Sequence, residues 1–127
     1  MAEEKKRARR FEDVKVWRRA HELVLLVYKL TRSLPREELF GLTSQMRRAA
    51  VSVAANIAEG FTRRGIKDKL NFYNTSESSL EELRYYFILC KDLGYIASNE
   101  EPLSRSEEVG KMLAGWCDSI RTNRAIK

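Results

Sequence analysis

Along most of the chain apolar residues recur every three or four positions, the period of one face of an α-helix. The two prolines and most of the six glycines fall between these periodic runs. The spacing predicts four helices. The first runs over 13–33 and stops at Leu34-Pro35, because the residue before proline avoids the α region. The second covers 41–63, with an extra turn at 36–40, and Gly60 and Gly65 punctuate the connection that follows. The third runs over 67–93 and ends at Gly94, placed to take the left-handed conformation while Tyr95 or Ile96 folds back on the last turn. The fourth begins after Glu101-Pro102-Leu103, where Ser104-Arg105-Ser106-Glu107 has the form of a capping box.

The segment AVSVAA alternates valine with small residues, which raises the possibility of a strand. Alanine decides for helix, being the best helix former and poor in strands. Placed at 100° intervals, the second helix divides into three stripes. Leu42, Met46, Ala49, Ala50, Val53 and Ile57 form an apolar stripe suited to a core. Val51, Ala54, Ala55 and Ala58 form a second, nearly opposite stripe of small side chains. Gln45, Arg48, Ser52, Asn56 and Glu59 form a polar stripe between them, read as a buried hydrogen-bond network between helices. The first helix also carries more apolar surface than one core face needs, from Val14 to Thr31 and including Trp17, Leu25 and Tyr28. In the third helix Phe72, Tyr73, Leu80, Leu83, Phe87 and Cys90 make a core stripe, with Tyr85, Ile88 and Leu89 off it. The fourth offers Val109, Met112, Leu113, Trp116 and Ile120.

Four amphipathic helices with short links predict an all-α, up-and-down four-helix bundle. The surplus apolar faces predict assembly into a ring-like homo-oligomer, with Val51, Ala54, Ala55 and Ala58 at the subunit interface because small residues let another helix approach closely. An irregular core that absorbs the surplus is the alternative.

With 127 residues, 43% hydrophobic and 33% charged, the chain fits one compact domain over 11–127, preceded by a basic tail at 1–10. No apolar run is long enough to span a bilayer, and the N-terminus is charged where a secretory signal would be apolar, so the expected location is cytoplasmic. Cys90 and Cys117 form no CxxC pair and point to neither a zinc site nor a disulfide. With a turn near Ser98, Cys90 is expected level with Glu107, leaving Cys117 about 15 Å further along the fourth helix.

Net charge is +6, from 24 basic and 18 acidic residues. In an up-and-down bundle most of the cations collect at one end: Lys5, Lys6, Arg7, Arg9, Arg10, Lys15, Arg18, Arg19, Arg63, Arg64, Lys67, Lys69, Arg121, Arg124 and Lys127. The opposite end collects Glu37, Glu38, Asp92, Glu100, Glu101, Glu107 and Glu108. Helix dipoles disfavour cations at the starts of helices one and three, so stability alone would not arrange this. A basic end suits a polyanion, since each phosphate neutralised releases counterions; a solvated surface that keeps the chain soluble is the plainer alternative. The candidate nucleic-acid contacts are Arg7, Arg9, Arg10, Lys15, Arg18, Arg19, Arg63, Arg64, Lys67, Lys69, Arg121 and Arg124.

Nothing in the chain suggests an enzyme. The single histidine, His21, falls on the apolar arc of helix one, and no Walker loop, dinucleotide fingerprint or HExxH occurs. No metal or cofactor is expected. The stretch from Asn56 to Leu70 has a superficial likeness to a helix-turn-helix, but its second helix is expected to be much longer than a recognition helix.

Three segments, FEDVKVWRRAHEL at 11–23, FGLTSQMRRAAVSVAANIAEGFTRR at 40–64 and ESSLEELRYYFILCKDLGYI at 77–96, closely resemble the proteins encoded in intervening sequences of bacterial 23S ribosomal RNA genes. The matching motif positions are Arg47, Arg48, Asn56, Glu59 and Gly60. The resemblance covers about 11–120 and implies a basic four-helix bundle that assembles as a homopentamer and associates with RNA or the ribosome. It supplies no catalytic residues. The chain is also similar to the accessory variability protein of diversity-generating retroelements, which implies a second reading: a scaffold for a nucleic-acid enzyme such as a reverse transcriptase. Many family members carry a proline where this chain has Ala54-Ala55, so a kink there is not expected.

Overall fold

A computed structural model of the chain describes residues 8–126, with side chains described through 122. Among the described residues the structure is all-α. A 3-10 turn at Phe11–Asp13 leads into α1 (Lys15–Thr31), and a second at Arg36–Glu38 precedes α2 (Leu42–Thr62). Then come α3 (Ile66–Asp92) and α4 (Glu100–Ile126). Each helix packs on its neighbour in the chain and α4 returns to pack on α1, an up-and-down bundle. Among the described residues no helix is long and apolar enough to cross a membrane.

The cross-helix contacts fix the antiparallel register. Met46 Sδ lies 3.5 Å from Cys90 Sγ, and Ser52 Oγ lies 2.7 Å from Ser79 Oγ, so α2 and α3 run in opposite directions. Arg105 approaches Glu22 at 3.8 Å and Arg19 approaches Glu108 at 3.9 Å, which sets α1 against α4 in the same way. The core is the one the periodicity predicts. Met46, Val53 and Ile57 of α2, Leu83 and Phe87 of α3, and Val109 and Leu113 of α4 are all buried. Phe72 is the exception to its stripe, only half-buried.

The end of α3 closes as the sequence predicts. Gly94 takes φ 79°, Tyr95 N–H donates to Cys90 O at 2.9 Å and Gly94 N–H to Lys91 O at 2.9 Å, the paired bonds of a Schellman turn. The start of α4 does not. The helix begins at Glu100, four residues before the expected cap, and Ser104 lies inside it. Pro102 fits the first turn because no intrahelical partner is needed for the N–H it lacks. Ser98 Oγ accepts from Glu100 N–H at 3.2 Å in place of the expected Ser104 cap.

This earlier start tightens the α3–α4 connection and shifts its register. Gly110 meets Leu80, and the Tyr73 and Trp116 rings meet at 6.5 Å, so Cys90 lies level with about residue 100, not Glu107. Cys117 is therefore about 25 Å from that level by helical rise. Both cysteines are free and buried.

Candidate functional site

At the end where α1 and α3 begin and α2 and α4 finish, the structure gathers most of the candidate cations. Arg9, Arg10, Lys15, Arg18, Arg63, Arg64, Lys67 and Arg121 are exposed there. Arg7 and the Arg124 side chain lie outside the described residues. The Asp13 carboxylate accepts backbone N–H bonds from Arg9 at 3.2 Å and Arg10 at 3.3 Å, which fixes the chain just before the 3-10 turn. Phe11 packs edge-on against Trp17, which also stacks on His21 with ring centroids 5.1 Å apart. His21 itself is exposed.

These cations divide by what already holds them. Lys69 donates to the carbonyls of Gly60 at 3.2 Å and Phe61 at 2.8 Å, closing the last turn of α2, and burial of the ammonium lowers its pKa. Arg63 donates to Glu59 at 3.1 Å and lies over the Phe72 ring at 4.6 Å. Arg121 pairs with Asp118 at 3.3 Å. Arg19 faces α4, between Glu22 at 3.0 Å and Glu108 at 3.9 Å, so Glu108 sits level with Arg19 and not at the far end of the bundle. Arg64 and Lys67 make no side-chain hydrogen bond or ion pair to a described residue and flank the short α2–α3 connection.

Three of the five motif positions on α2, Arg47, Asn56 and Gly60, sit at contacts between helices. Arg47 Nε donates to Thr31 Oγ1 at 2.9 Å and its guanidinium lies 4.7 Å from the Tyr28 ring centroid, tying α2 to α1. Thr31 in turn donates to Val27 O at 2.7 Å, so this buried hydroxyl is satisfied in both roles. Toward α3, Asn56 Nδ2 donates to Ser52 O at 2.8 Å and Ser52 Oγ at 3.0 Å, and Ser52 meets Ser79. The expected polar network is therefore Ser52, Asn56 and Ser79; Gln45, Arg48 and Glu59 are exposed and stand outside it. Gly60 is buried against Tyr73, and a Cβ there would come within 2.5 Å of Tyr73 Cε1.

The small stripe expected at the subunit interface is split. Val51 and Ala55 are exposed and Ala58 is half-buried, but Ala54 is only 8% exposed, facing inward within its own chain. Ala54 lies only about 100° from Val53 at the core centre, on the side where Arg47 reaches α1, and so turns inward. The exposed part of the stripe floors a groove of about 800 Å³ along α2, walled by Tyr28 with Arg47, by Leu39 and Phe40, and by Arg48. Phe40 is 92% exposed. Sequence reasoning missed Phe40, although its signal was present: an aromatic residue in a link, out of phase with the helix that follows.

The thiols are held in the neutral form. Burial pushes Cys90 up to about 11 and raises Cys117 as well, so neither is poised as a nucleophile at neutral pH. Among the described residues no group of three or more His, Cys, Asp or Glu side chains is placed to hold a metal ion.

The fold has known counterparts. The model of the family described as 23S rRNA-intervening sequence protein matches residues 12–115. A solved structure of a protein with unknown function, from the S23 ribosomal protein family of Bacteroides thetaiotaomicron, superposes with a TM-score of 0.75 at 24% identity, over 81% of this chain and 95% of that one. At that identity the likeness bears on the fold alone. No curated protein matches the chain.

Proposed function

The chain belongs to the 23S rRNA-intervening sequence protein family, and from that premise we propose that it is a non-enzymatic homo-oligomer that binds structured RNA through one end of its bundle. The observation that carries this reading is the set of cations at that end with no carboxylate partner among the described residues. Arg64 and Lys67 are exposed beside the α2–α3 connection, with Arg9, Arg10 and Arg18 at the same end. Lys67 sits in the first turn of α3, where the helix dipole disfavours a cation, so an external anion has more to gain there than the fold does. In a ring of identical subunits, five on the family resemblance, all these ends face one side and their potentials add. The neutral, buried thiols offer no poised nucleophile, which supports a binding role over a catalytic one.

The test uses a structured RNA and the double variant Arg64→Glu, Lys67→Glu. Neither side chain supports the fold, whereas Lys69 closes α2 and is left in place. Affinity should fall steeply with salt, and each lost phosphate contact should lower the slope of log K against log salt by about 1. Affinity indifferent to both salt and the charge reversals would end this reading. A protein partner captured from lysate that survives nuclease treatment would favour a scaffold for a nucleic-acid enzyme instead.

A further inference from the structure

Most of the exposed large apolar side chains fall in two separate patches of opposite shape, with Leu25 and Leu93 counted in neither. One is the concave groove on α2, floored by Val51 and Ala55 and rimmed by Phe40 and Tyr28. The other is convex. Tyr85, 56% exposed, and Ile88, 42% exposed, project from the side of α3 turned away from buried Leu83 and Phe87.

The register between α2 and α3 sets these patches at one height. Met46 meets Cys90 and Ser52 meets Ser79. Arg48, between them, therefore lies level with about residue 86 of α3, beside Tyr85. Adjacent helices of a four-helix bundle present outward faces roughly 90° apart. A concave and a convex patch at equal height and about that angle meet by rotation alone, without translation along the bundle, and close into a ring of about four or five copies.

Charge agrees with shape. The groove carries Arg48, which has no carboxylate partner among the described residues, and Arg47, whose guanidinium is engaged by a hydroxyl and a ring only. The convex face carries Glu81, Glu82 and Asp92. Glu81 is held by Arg84 at 2.8 Å, while Glu82 accepts only the Tyr86 hydroxyl, at 2.6 Å, and Asp92 makes no ion pair to a described residue. Lys91 is exposed nearby but lies about 120° around α3 from Tyr85, off this face.

We infer that the α2 groove of one copy receives the Tyr85–Ile88 ridge of a second copy, with Arg48 set against Glu82, in a head-to-tail contact between unlike surfaces. The inference rests on the ring reading above and specifies which surfaces make it.

Complementation between two variants of the full chain tests it. Tyr85→Arg removes the ridge and sets a cation against Arg48; Ala55→Trp fills the groove floor. Both positions are exposed, so each variant should keep its helical circular dichroism while light scattering falls to the mass of one chain. Mixed in equal amounts, the two should recover a two-chain species, because each retains the surface that the other has lost. Should Tyr85→Arg lose helicity, Ile88→Lys takes its place. A ridge variant that keeps the wild-type mass, or a mixture that stays at single-chain mass, overturns the inference and leaves the ring reading standing. A wild-type chain that is itself a monomer overturns both.

Discussion

Gly60 sits in the last turns of α2, where its position in the sequence suggests a helix terminus. The structure gives it a different role: the flat face of Tyr73 occupies the space a side chain would need, with the nearest ring carbon 2.5 Å from a built Cβ. Two effects of Gly60→Ala oppose each other. Alanine gains up to about 1 kcal/mol in helix propensity. Against this, Tyr73 is fully buried and has nowhere to move, so overpacking costs about 1–3 kcal/mol. The clash wins, and thermal melting should show a destabilised chain. Tyr73→Phe makes the contrast, because the Tyr73 hydroxyl is buried beside the Trp116 indole without reaching hydrogen-bond geometry to it or to any other described residue. Removing it should leave stability unchanged or raise it. A stable Gly60→Ala chain would mean that the α2–α3 contact is looser than the 2.5 Å approach requires. No pattern of periods could have shown this, since the close approach involves two helices and the sequence displays each only to itself.

The four helices were legible because period, proline and glycine agreed, and Gly94 even announced the form of the turn that ends α3. The start of α4 was misread because Ser104-x-x-Glu107 matches a capping box by pattern alone, while Pro102 fits the first turn equally well and let the helix begin at Glu100. The turn before α2 falls within the 36–40 span the sequence predicts, but its bonds escaped the sequence. There Glu38 accepts the Leu42 N–H at 3.1 Å, serving the first turn of α2, and the Tyr95 hydroxyl at 2.8 Å, joining that turn to the end of α3. The Leu42 bond, and then the Tyr95 bond, hold the Glu38 carboxyl below its ordinary pKa. A carboxylate lowered in the folded state adds stability above its unfolded pKa and loses it as pH falls through the folded one. Glu38→Gln removes that titration. The wild-type chain should melt higher than the variant at neutral pH, and the gap should close as pH falls below the ordinary glutamate range. Melting curves that stay parallel across that range would show that the charge on Glu38 does not stabilise this corner.

At the scale of the whole molecule, sequence placed the cations at one end of the bundle but not their occupations. Lys69 is committed to the end of α2 and Arg19 to the acids of α1 and α4, while Arg64 and Lys67 are left to solvent. Those engagements depend on which residues face each other across helices, which one-dimensional charge counting does not record. Among the described residues the cations at this end without a carboxylate partner are Arg9, Arg10, Arg18, Arg64 and Lys67, and a ring would multiply them. For a polyanion the slope of log K against log salt counts the phosphates neutralised, at about 0.7 to 0.9 per contact. If the ring supplies the contacts, Ala55→Phe should lower the slope itself, several-fold, along with the mass measured by light scattering. Ala54→Phe cannot serve here, because Ala54 is buried in its own chain and the variant would confuse unfolding with dissociation. A slope that stays constant while the Ala55→Phe mass falls would show that a single bundle end holds all the RNA contacts, and that the ring, where it forms, serves some other purpose than summing charge.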